Sequence, residues 1–305
     1  MENKRRPQRI AVTGATGLLG RALVPLLASR GHAVVASHHQ SGSAARSGVP
    51  SIELDLLDPV SVARFIDLAE AGWIIHAAAL TDVDRCEREP ELASAVNTEA
   101  TRFLADAVSQ SASRLVFLST DYVFDGMGGP YDESAPPGPI NVYGRTKLAA
   151  ERLVQLSAQD HVIIRSASFL GIGEPGRPTL AEKMVETMLE SPPLLAAIDQ
   201  RSNVTPVKFL ASAIVEIIES GQSGLRHVAG DQILSRHDLA LRLARLFALG
   251  DSVVRAVQYE DLKRPALRPL NGGLITRFPM VTQQVSLDTA LASWKEAVVR
   301  SRSHT

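Results

Sequence analysis

The stretch Thr13-Gly14-Ala15-Thr16-Gly17-Leu18-Leu19-Gly20 constrains this chain more than any other feature. It follows the buried-strand run Ile10-Ala11-Val12-Thr13. It opens a helical pattern from Leu18 to Arg30, with Leu18, Leu19, Ala22, Leu23, Leu26 and Leu27 on one side and Gly31 closing it. Glycines spaced G-x-x-G-x-x-G at such a turn permit a tight exit from the strand, close approach of backbone to a pyrophosphate, and close helix–strand packing. The helix N-terminus offers amide N–H groups and the positive end of its dipole to phosphate. The spacing differs from the commoner G-x-G-x-x-G. Its place on the first strand–helix turn still predicts a dinucleotide cradle, with Gly14, Thr16, Gly17, Leu18 and Leu19 against the cofactor.

The pattern then repeats. Ala33–Ala36, Ser51–Leu54, Trp73–His76, Arg114–Ser119 and His161–Arg165 read as further strands. Helices are expected from Asp58-Pro59 to about Ala71, from Glu91 to about Ser111 and from Asn141 to about Gln159. Short continuous apolar runs, separated by helices, predict a doubly wound parallel α/β sheet of Rossmann type, covered on both faces. After Arg165 the regularity fails. Helices are expected near Leu180–Glu190, Phe209–Ser220 and Ser235–Leu249, and Arg264–Thr282, rich in proline and glycine, reads as loop. The chain therefore divides into a dinucleotide-binding domain, residues 1–165, and a smaller mixed substrate lobe, residues 166–305, parts of which return to the sheet.

Composition narrows the class. The 305 residues are 45% hydrophobic and 21% charged, as in an ordinary globular protein. Lys+Arg is 32 and Asp+Glu is 33, so the basic excess of a nucleic-acid binder is missing. The single cysteine, Cys86, precludes an intrachain disulfide and points away from a cysteine-based metal site; no metal is expected. No apolar run reaches the roughly 18 residues of a membrane span, and the polar start, with Lys4-Arg5-Arg6 as a solvated tail, has no signal-peptide core. A soluble cytoplasmic protein is expected.

Cofactor preference is read after the second strand. An acid there would bind the adenosine ribose of NAD, but the strand ends Ser37-His38-His39. Without a carboxylate to repel a 2′-phosphate, and with Ser37, His38 and Arg46 able to contact one, NADPH is favoured over NADH; exposed loop histidines are the bland alternative. Asp55, followed by Leu56, stands after the third strand, where an acid can face the adenine or simply cap a helix.

Tyr143 and Lys147 stand at i and i+4, on one helical face. A nearby ammonium should favour phenolate and lower the tyrosine pKa, fitting Tyr143 to exchange a proton with a carbonyl oxygen. Some two dozen residues upstream, Thr120 ends the fifth strand beside the expected crevice, where its hydroxyl can bond the same oxygen.

These residues resemble the extended short-chain dehydrogenase/reductase family over nearly the whole chain. The resemblance rests on Gly14/Gly17/Gly20, Asp55, His76-Ala77-Ala78-Ala79, Val96-Asn97, Thr120, and Tyr143 with Lys147. Ser119-Thr120-Asp121-Tyr122-Val123-Phe124-Asp125-Gly126 and Asn141-Val142-Tyr143-Gly144-Arg145-Thr146-Lys147 look most like the dTDP-4-dehydrorhamnose reductase subgroup. The resemblance implies a Thr120/Tyr143/Lys147 catalytic set supported by Asn97, and Ala77, Ala78 and Ala79 lining the cofactor crevice. It implies a nucleotide-sugar 4-ketone as substrate, met by Thr120, Asp121, Tyr122 and Arg201, and a homodimer. The fit loosens toward the C-terminus. Asp199–Val207 carries Ser202 where the subgroup has glycine and reverses its Pro-Thr order, and an additional stretch, Thr276–Gln284, precedes Leu287-Asp288-Thr289.

Two other readings stay open. A dehydratase of this superfamily has Asp-Glu after the threonine, whereas Asp121 is followed by Tyr122, and an epimerase usually shows an acid after the second strand. A non-catalytic dinucleotide-binding subunit, like the regulatory subunit of methionine adenosyltransferase, is the third reading. Cys86 reads as a reduced thiol, the acids Asp82, Asp84, Glu87 and Glu89 as a solvated face, Asp132-Glu133 as a surface loop over the site, and Trp73 and Trp294 as packing residues.

Overall fold

The computed structural model describes residues 7–39, 48–157, 160–174, 176–278 and 280–302. Arg46 and the Lys4-Arg5-Arg6 cluster lie outside the described residues. The first part runs β1 (Arg9–Thr13), α1 (Leu18–Ser29), β2 (Ala33–His38), β3 (Ser51–Glu53), α2 (Pro59–Ala69), β4 (Trp73–His76) and α3 (Val83–Arg88). Then come α4 (Pro90–Ser94), a π-helical turn (Ala95–Glu99), α5 (Ala100–Ser109), β5 (Arg114–Thr120), α6 (Val142–Ser157) and β6 (His161–Ser166). The second part runs β7 (Phe169–Leu170), α7 (Leu180–Glu190), β8 (Leu194–Ala197), β9 (Arg201–Asn203), β10 (Thr205–Pro206), α8 (Val207–Ser220) and β11 (Gly224–His227). It closes with β12 (Ile233–Ser235), α9 (Arg236–Leu246), β13 (Val254–Val257) and α10 (Leu287–Arg302).

The main sheet has seven parallel strands in the order β11-β6-β5-β4-β1-β2-β3. The expected parallel α/β architecture is present, and Gly224–His227 is the segment that returns to extend it. Alternate residues of the central strands feed opposite layers. Ile10, Val12 and Ile75 join the α1 and α8 side, with Leu23, Leu27, Leu210 and Ile214. Ala11, Ile74 and Leu115 join the α2, α5 and α6 side, with Phe65, Leu104 and Val154. Each strand is apolar throughout because each is covered twice. Strand order reverses between β1 and β4, which opens a crevice at their carboxyl ends.

A third apolar cluster belongs to the second part, with Met184 and Val185 of α7, Leu239 and Leu243 of α9, and Leu291 and Trp294 of α10. Trp294 also donates its indole N–H to Gly171 O at 2.9 Å, and Trp73 is buried in the main sheet. Two boundaries differ from expectation for local reasons. α2 stops at Ala69 because Glu70 turns left-handed, φ 45°. The single helix expected over Glu91–Ser111 is interrupted by the π turn that carries Asn97.

Candidate active site

β1 and β4 bring the glycine loop and the three alanines together at the reversal point. Gly14 has φ +69°, and a Cβ there would sit 2.7 Å from Ala78 N. Only glycine allows that approach. The first turn of α1 has no acidic residue, and its N-cap, Gly17, has no side chain to occupy the leading N–H groups. That leaves amides and dipole free for phosphate. Leu18 packs against Gly171, where a Cβ would lie 2.8 Å from Leu18 Cδ1, while Leu19 is buried and Thr16 half-buried. Ser37 and His38 end β2, and His38 Nδ1 is buried with no hydrogen-bond partner. The open cradle, the uncapped helix and the orphaned nitrogen fit a dinucleotide bearing phosphate near His38. Asp55 is exposed; its Oδ1 accepts from Leu57 N at 2.9 Å, and Leu56 beside it is half-buried. The cap of α2 is Asp58 instead.

Asn97 is buried and thoroughly engaged. Its Oδ1 accepts from Leu80 N at 2.8 Å, and its Nδ2 donates to Leu80 O at 3.0 Å and Thr146 Oγ1 at 3.2 Å. It therefore pins the loop after Ala77-Ala78-Ala79 to α6. π-Helical turns are frequent at functional sites, and this one carries Asn97. His76, at the end of β4, lies between Thr13 Oγ1 (2.8 Å) and Thr101 Oγ1 (3.2 Å). Burial, then the Lys147 charge, pushes its pKa down to about 3, so it is neutral.

Thr120 ends β5, and α6 is laid against it. Asn141 caps α6 by accepting from Gly144 N at 2.8 Å, and Glu87 accepts from Val142 N at 3.0 Å. A Cβ on Gly144 would lie 2.1 Å from Tyr122 O, so glycine is required for α6 to come this close. Tyr143 packs edge-on against Tyr122, ring centroids 5.9 Å apart. Lys147 is buried, its Nζ 4.0 Å from the Phe117 ring centroid. The structure thus brings Thr120, Tyr122, Tyr143 and Lys147 together.

The electrostatics correct one expectation. Burial drives the Tyr143 phenol above its ordinary range, a hydrogen bond with Thr120 opposes the rise, and Asp121 adds to it. Burial outweighs the expected lowering by Lys147. Desolvation of a buried phenolate dominates, and burial lowers the lysine itself to about 7, with Glu151 opposing. Tyr143 is thus a protonated acid. Asp121 is also buried and raised to about 6, with Ser202, Arg236 and Thr120 opposing the burial effect.

The second part of the chain supplies the opposite wall. Ser202, the departure from the subgroup's glycine, donates to Asp121 Oδ2 at 2.7 Å. Arg236, at the start of α9, donates to Ser168 Oγ at 2.9 Å and acts on Asp121 and Tyr122. Arg201 is exposed, its backbone joined to the segment at Leu270 and Gly272. Ser202 and Arg236 contact the candidate site and a buried Glu151–Arg165 pair lies beside it, none of which the sequence pattern singles out. A charged residue inside the apolar run His161–Arg165, and an acid four positions after Lys147, are the available signals.

Of the four acids at α3, Asp82 and Glu89 are exposed, as a solvated face requires, whereas Asp84 and Glu87 are half-buried and engaged by other segments. Asp82 caps the helix at Arg85 N, and Glu89 pairs with Arg85. Asp84 bonds Arg268 and accepts from Ala266 N at 3.2 Å, and Glu87 caps α6. The correction has a plain cause: residues 264–268 fold over α3, which sequence spacing cannot reveal. Cys86 is buried, its thiol raised to about 11 chiefly by burial, as suits an inert thiol. Glu133 accepts from His227 N, Thr276 Oγ1 and Arg277 N, so its loop is tied to the outer edge of the sheet at β11.

Among the described residues no helix is long and apolar enough to cross a membrane. A family model for the RmlD substrate binding domain matches residues 8–304. The chain is 32% identical to a dTDP-4-dehydrorhamnose reductase of Mycolicibacterium smegmatis, over 95% of this chain and 84% of that protein. It is also 32% identical to a methionine adenosyltransferase 2 subunit beta of Xenopus laevis, over 84% of this chain and 77% of that one. Among solved structures, a dTDP-4-dehydrorhamnose reductase from Bacillus anthracis in complex with NADP superposes with a TM-score of 0.83 at 26% identity, covering 96% of this chain and all of the other.

Proposed function

The chain belongs to the RmlD substrate binding domain family, and from that membership we propose that it reduces the 4-keto group of a nucleotide-activated deoxysugar with NADPH. The observation that carries the proposal is the placement of Thr120, Tyr143 and buried Lys147 beside the Gly14–Ala78 cradle. His76 links the two, bonded to Thr13 and within the field of Lys147. Residues 1–165 hold the dinucleotide and residues 166–305 the sugar.

In this reading Gly14, Thr16, Gly17, Leu18 and Leu19 receive the pyrophosphate, and Ser37 and His38 receive the 2′-phosphate. Asp55 and Leu56 border the adenine, and Ala77, Ala78 and Ala79 line the crevice. Bound reduced nicotinamide supplies the hydride. Thr120 orients the ketone oxygen by hydrogen bonding, and Tyr143 gives that oxygen its proton as charge develops. Lys147 holds the nicotinamide ribose and stabilises the phenolate left on Tyr143. Asp121, Tyr122 and Arg201 face the sugar, and Asn97 fixes the loop and α6 at the separation the reaction needs. The protein works in the cytoplasm as a homodimer, a state that light scattering on the purified protein reads directly.

The test is NADPH oxidation, followed by absorbance, with dTDP-4-keto-6-deoxyhexoses, and NADH in parallel. Wild type should turn over, with NADPH preferred. Tyr143→Phe should lose at least about 100-fold in kcat and bind NADPH nearly as tightly. Cofactor binding without turnover across the sugar panel would overturn the proposal in favour of a regulatory subunit.

A further inference from the structure

Glu151 is a buried acid that no step above uses. Tyr143, Lys147 and Glu151 recur at four-residue spacing along α6 and form one stripe facing the sheet. Beneath it, Ser119 of β5 and Arg165 of β6 are register partners on adjacent parallel strands. Arg165 grips the carboxylate through Nε at 2.9 Å and Nη2 at 2.6 Å, and Ser119 donates its hydroxyl to it. The two charged side chains are 2% and 5% exposed. Burying such a pair is costly, and apolar residues of similar volume often serve stability as well or better. Packing alone is therefore a weak reason for it.

Its position supplies a stronger one. A free carboxylate four residues after Lys147 would take the ammonium into an i,i+4 ion pair and draw Nζ along the helix, away from Tyr143. The bidentate grip of Arg165 occupies both carboxylate oxygens. We propose that Glu151, clamped by Arg165 and Ser119, is a positioning residue that keeps Lys147 charged while leaving its Nζ free to serve Tyr143 and the cofactor. The proposal rests on the reductase reading for its purpose but not for its measurement. The field acts in the required sense, since Glu151 raises the lysine against the lowering by burial. The other groups around the stripe that can carry charge are His76 on β4, Tyr143 on α6, Cys86 on α3, Asp121 and Tyr122 after β5, and Arg165 on β6.

The sequence has six lysines, so the Lys147 Cε signal of cofactor-free, 13C-lysine-labelled protein can be assigned with Lys147→Arg and titrated. Glu151→Gln should lower the Lys147 midpoint by about one pH unit or more, and the alkaline limb of kcat/KM should move down with it. Arg165→Met should do the opposite. The freed carboxylate raises the midpoint, and NADPH affinity falls several-fold as Nζ is withdrawn. Should Glu151→Gln unfold around its unpaired guanidinium, the double variant Glu151→Gln/Arg165→Met removes both charges and should still lower the midpoint. Unchanged midpoints in the folded variants would overturn the proposal even if kcat fell, because a packing role moves stability and leaves the lysine alone. The titration needs no turnover, so a failed reductase assay and an unmoved midpoint refute different things.

Discussion

Lys147→Met should make the cofactor-free protein more stable at neutral pH. The ammonium is buried above Phe117, and burial, opposed by Glu151, lowers its pKa from 10.5 to about 7. In the unfolded chain the amine keeps its proton up to about 10.5. At pH 7 the folded protein must therefore either bury a charge or release a proton that the unfolded chain holds firmly. Each pH unit between the two values corresponds to about 1.4 kcal/mol, so the deficit is on the order of 4 kcal/mol. The contact with the Phe117 face returns about 1–2 kcal/mol of that. Below about pH 7 both states are protonated and the deficit is full. Between pH 7 and 10.5 the unfolded chain binds the extra proton, so wild-type stability climbs with pH. Methionine keeps most of the stem and has no charge. Urea unfolding should thus show a gain of about 2–3 kcal/mol for the variant at pH 7, shrinking to below about 1 kcal/mol at pH 10. A gain of equal size at both pH values, or a loss at pH 7, would refute the reasoning. The same variant should have no reductase turnover, as expected where a site is held at the expense of stability.

Gly14→Ala places a methyl 2.7 Å from Ala78 N at φ +69°; a loss of about 2–3 kcal/mol in urea unfolding and at least ten-fold weaker NADPH binding by calorimetry are expected, and unchanged binding would sink the cradle assignment. Asp84→Asn removes the charge that holds Arg268 and Arg264 and should cost about 1–3 kcal/mol at pH 7. Because the Asp84 carboxyl is held below its ordinary value of 3.8, with its bonds to Arg268 and Ala266 outweighing burial, that contribution exists above pH 3.8 and fades as pH falls through the lowered value. The difference between variant and wild type should therefore narrow in acid, and a pH-independent difference would contradict the assignment.

The fold of the first part is legible because its signals are local. Ile10–Thr13, Trp73–His76 and Arg114–Ser119 are apolar along their whole length, which only a sheet covered on both faces demands. Asp58-Pro59 is a helix start at any depth in a protein. The second part hides its strands because they are short and held by distant partners: β8 pairs with β13, about sixty residues later, and β9 with β12. Helix α10 lies outside the elements expected from the sequence although Leu287, Leu291, Trp294 and Val298 repeat at helical spacing. The Pro- and Gly-rich run before it masks the pattern.

The site divides along the same line. Spacing puts Tyr143 and Lys147 on one helical face and Thr120 at a strand end beside the crevice, and the family resemblance joins the three into one set. The sign of the Tyr143 shift is not available from them. It depends on how much water the packed site excludes, and that is fixed by chain that arrives much later. Ser202 closes on Asp121 from 81 residues away, and Arg268 closes on Asp84 from 184 residues away. Once water is excluded, a lysine one turn from a tyrosine no longer acts first as a cation lowering a phenol. It becomes a group whose own charge needs support, and Glu151, a further turn along the same stripe, stands where that support is needed. An i,i+4 pair of ionisable residues thus reads differently by depth: exposed, its sign follows from the partner, and buried, from desolvation, which a third charge set behind the pair then opposes or reinforces.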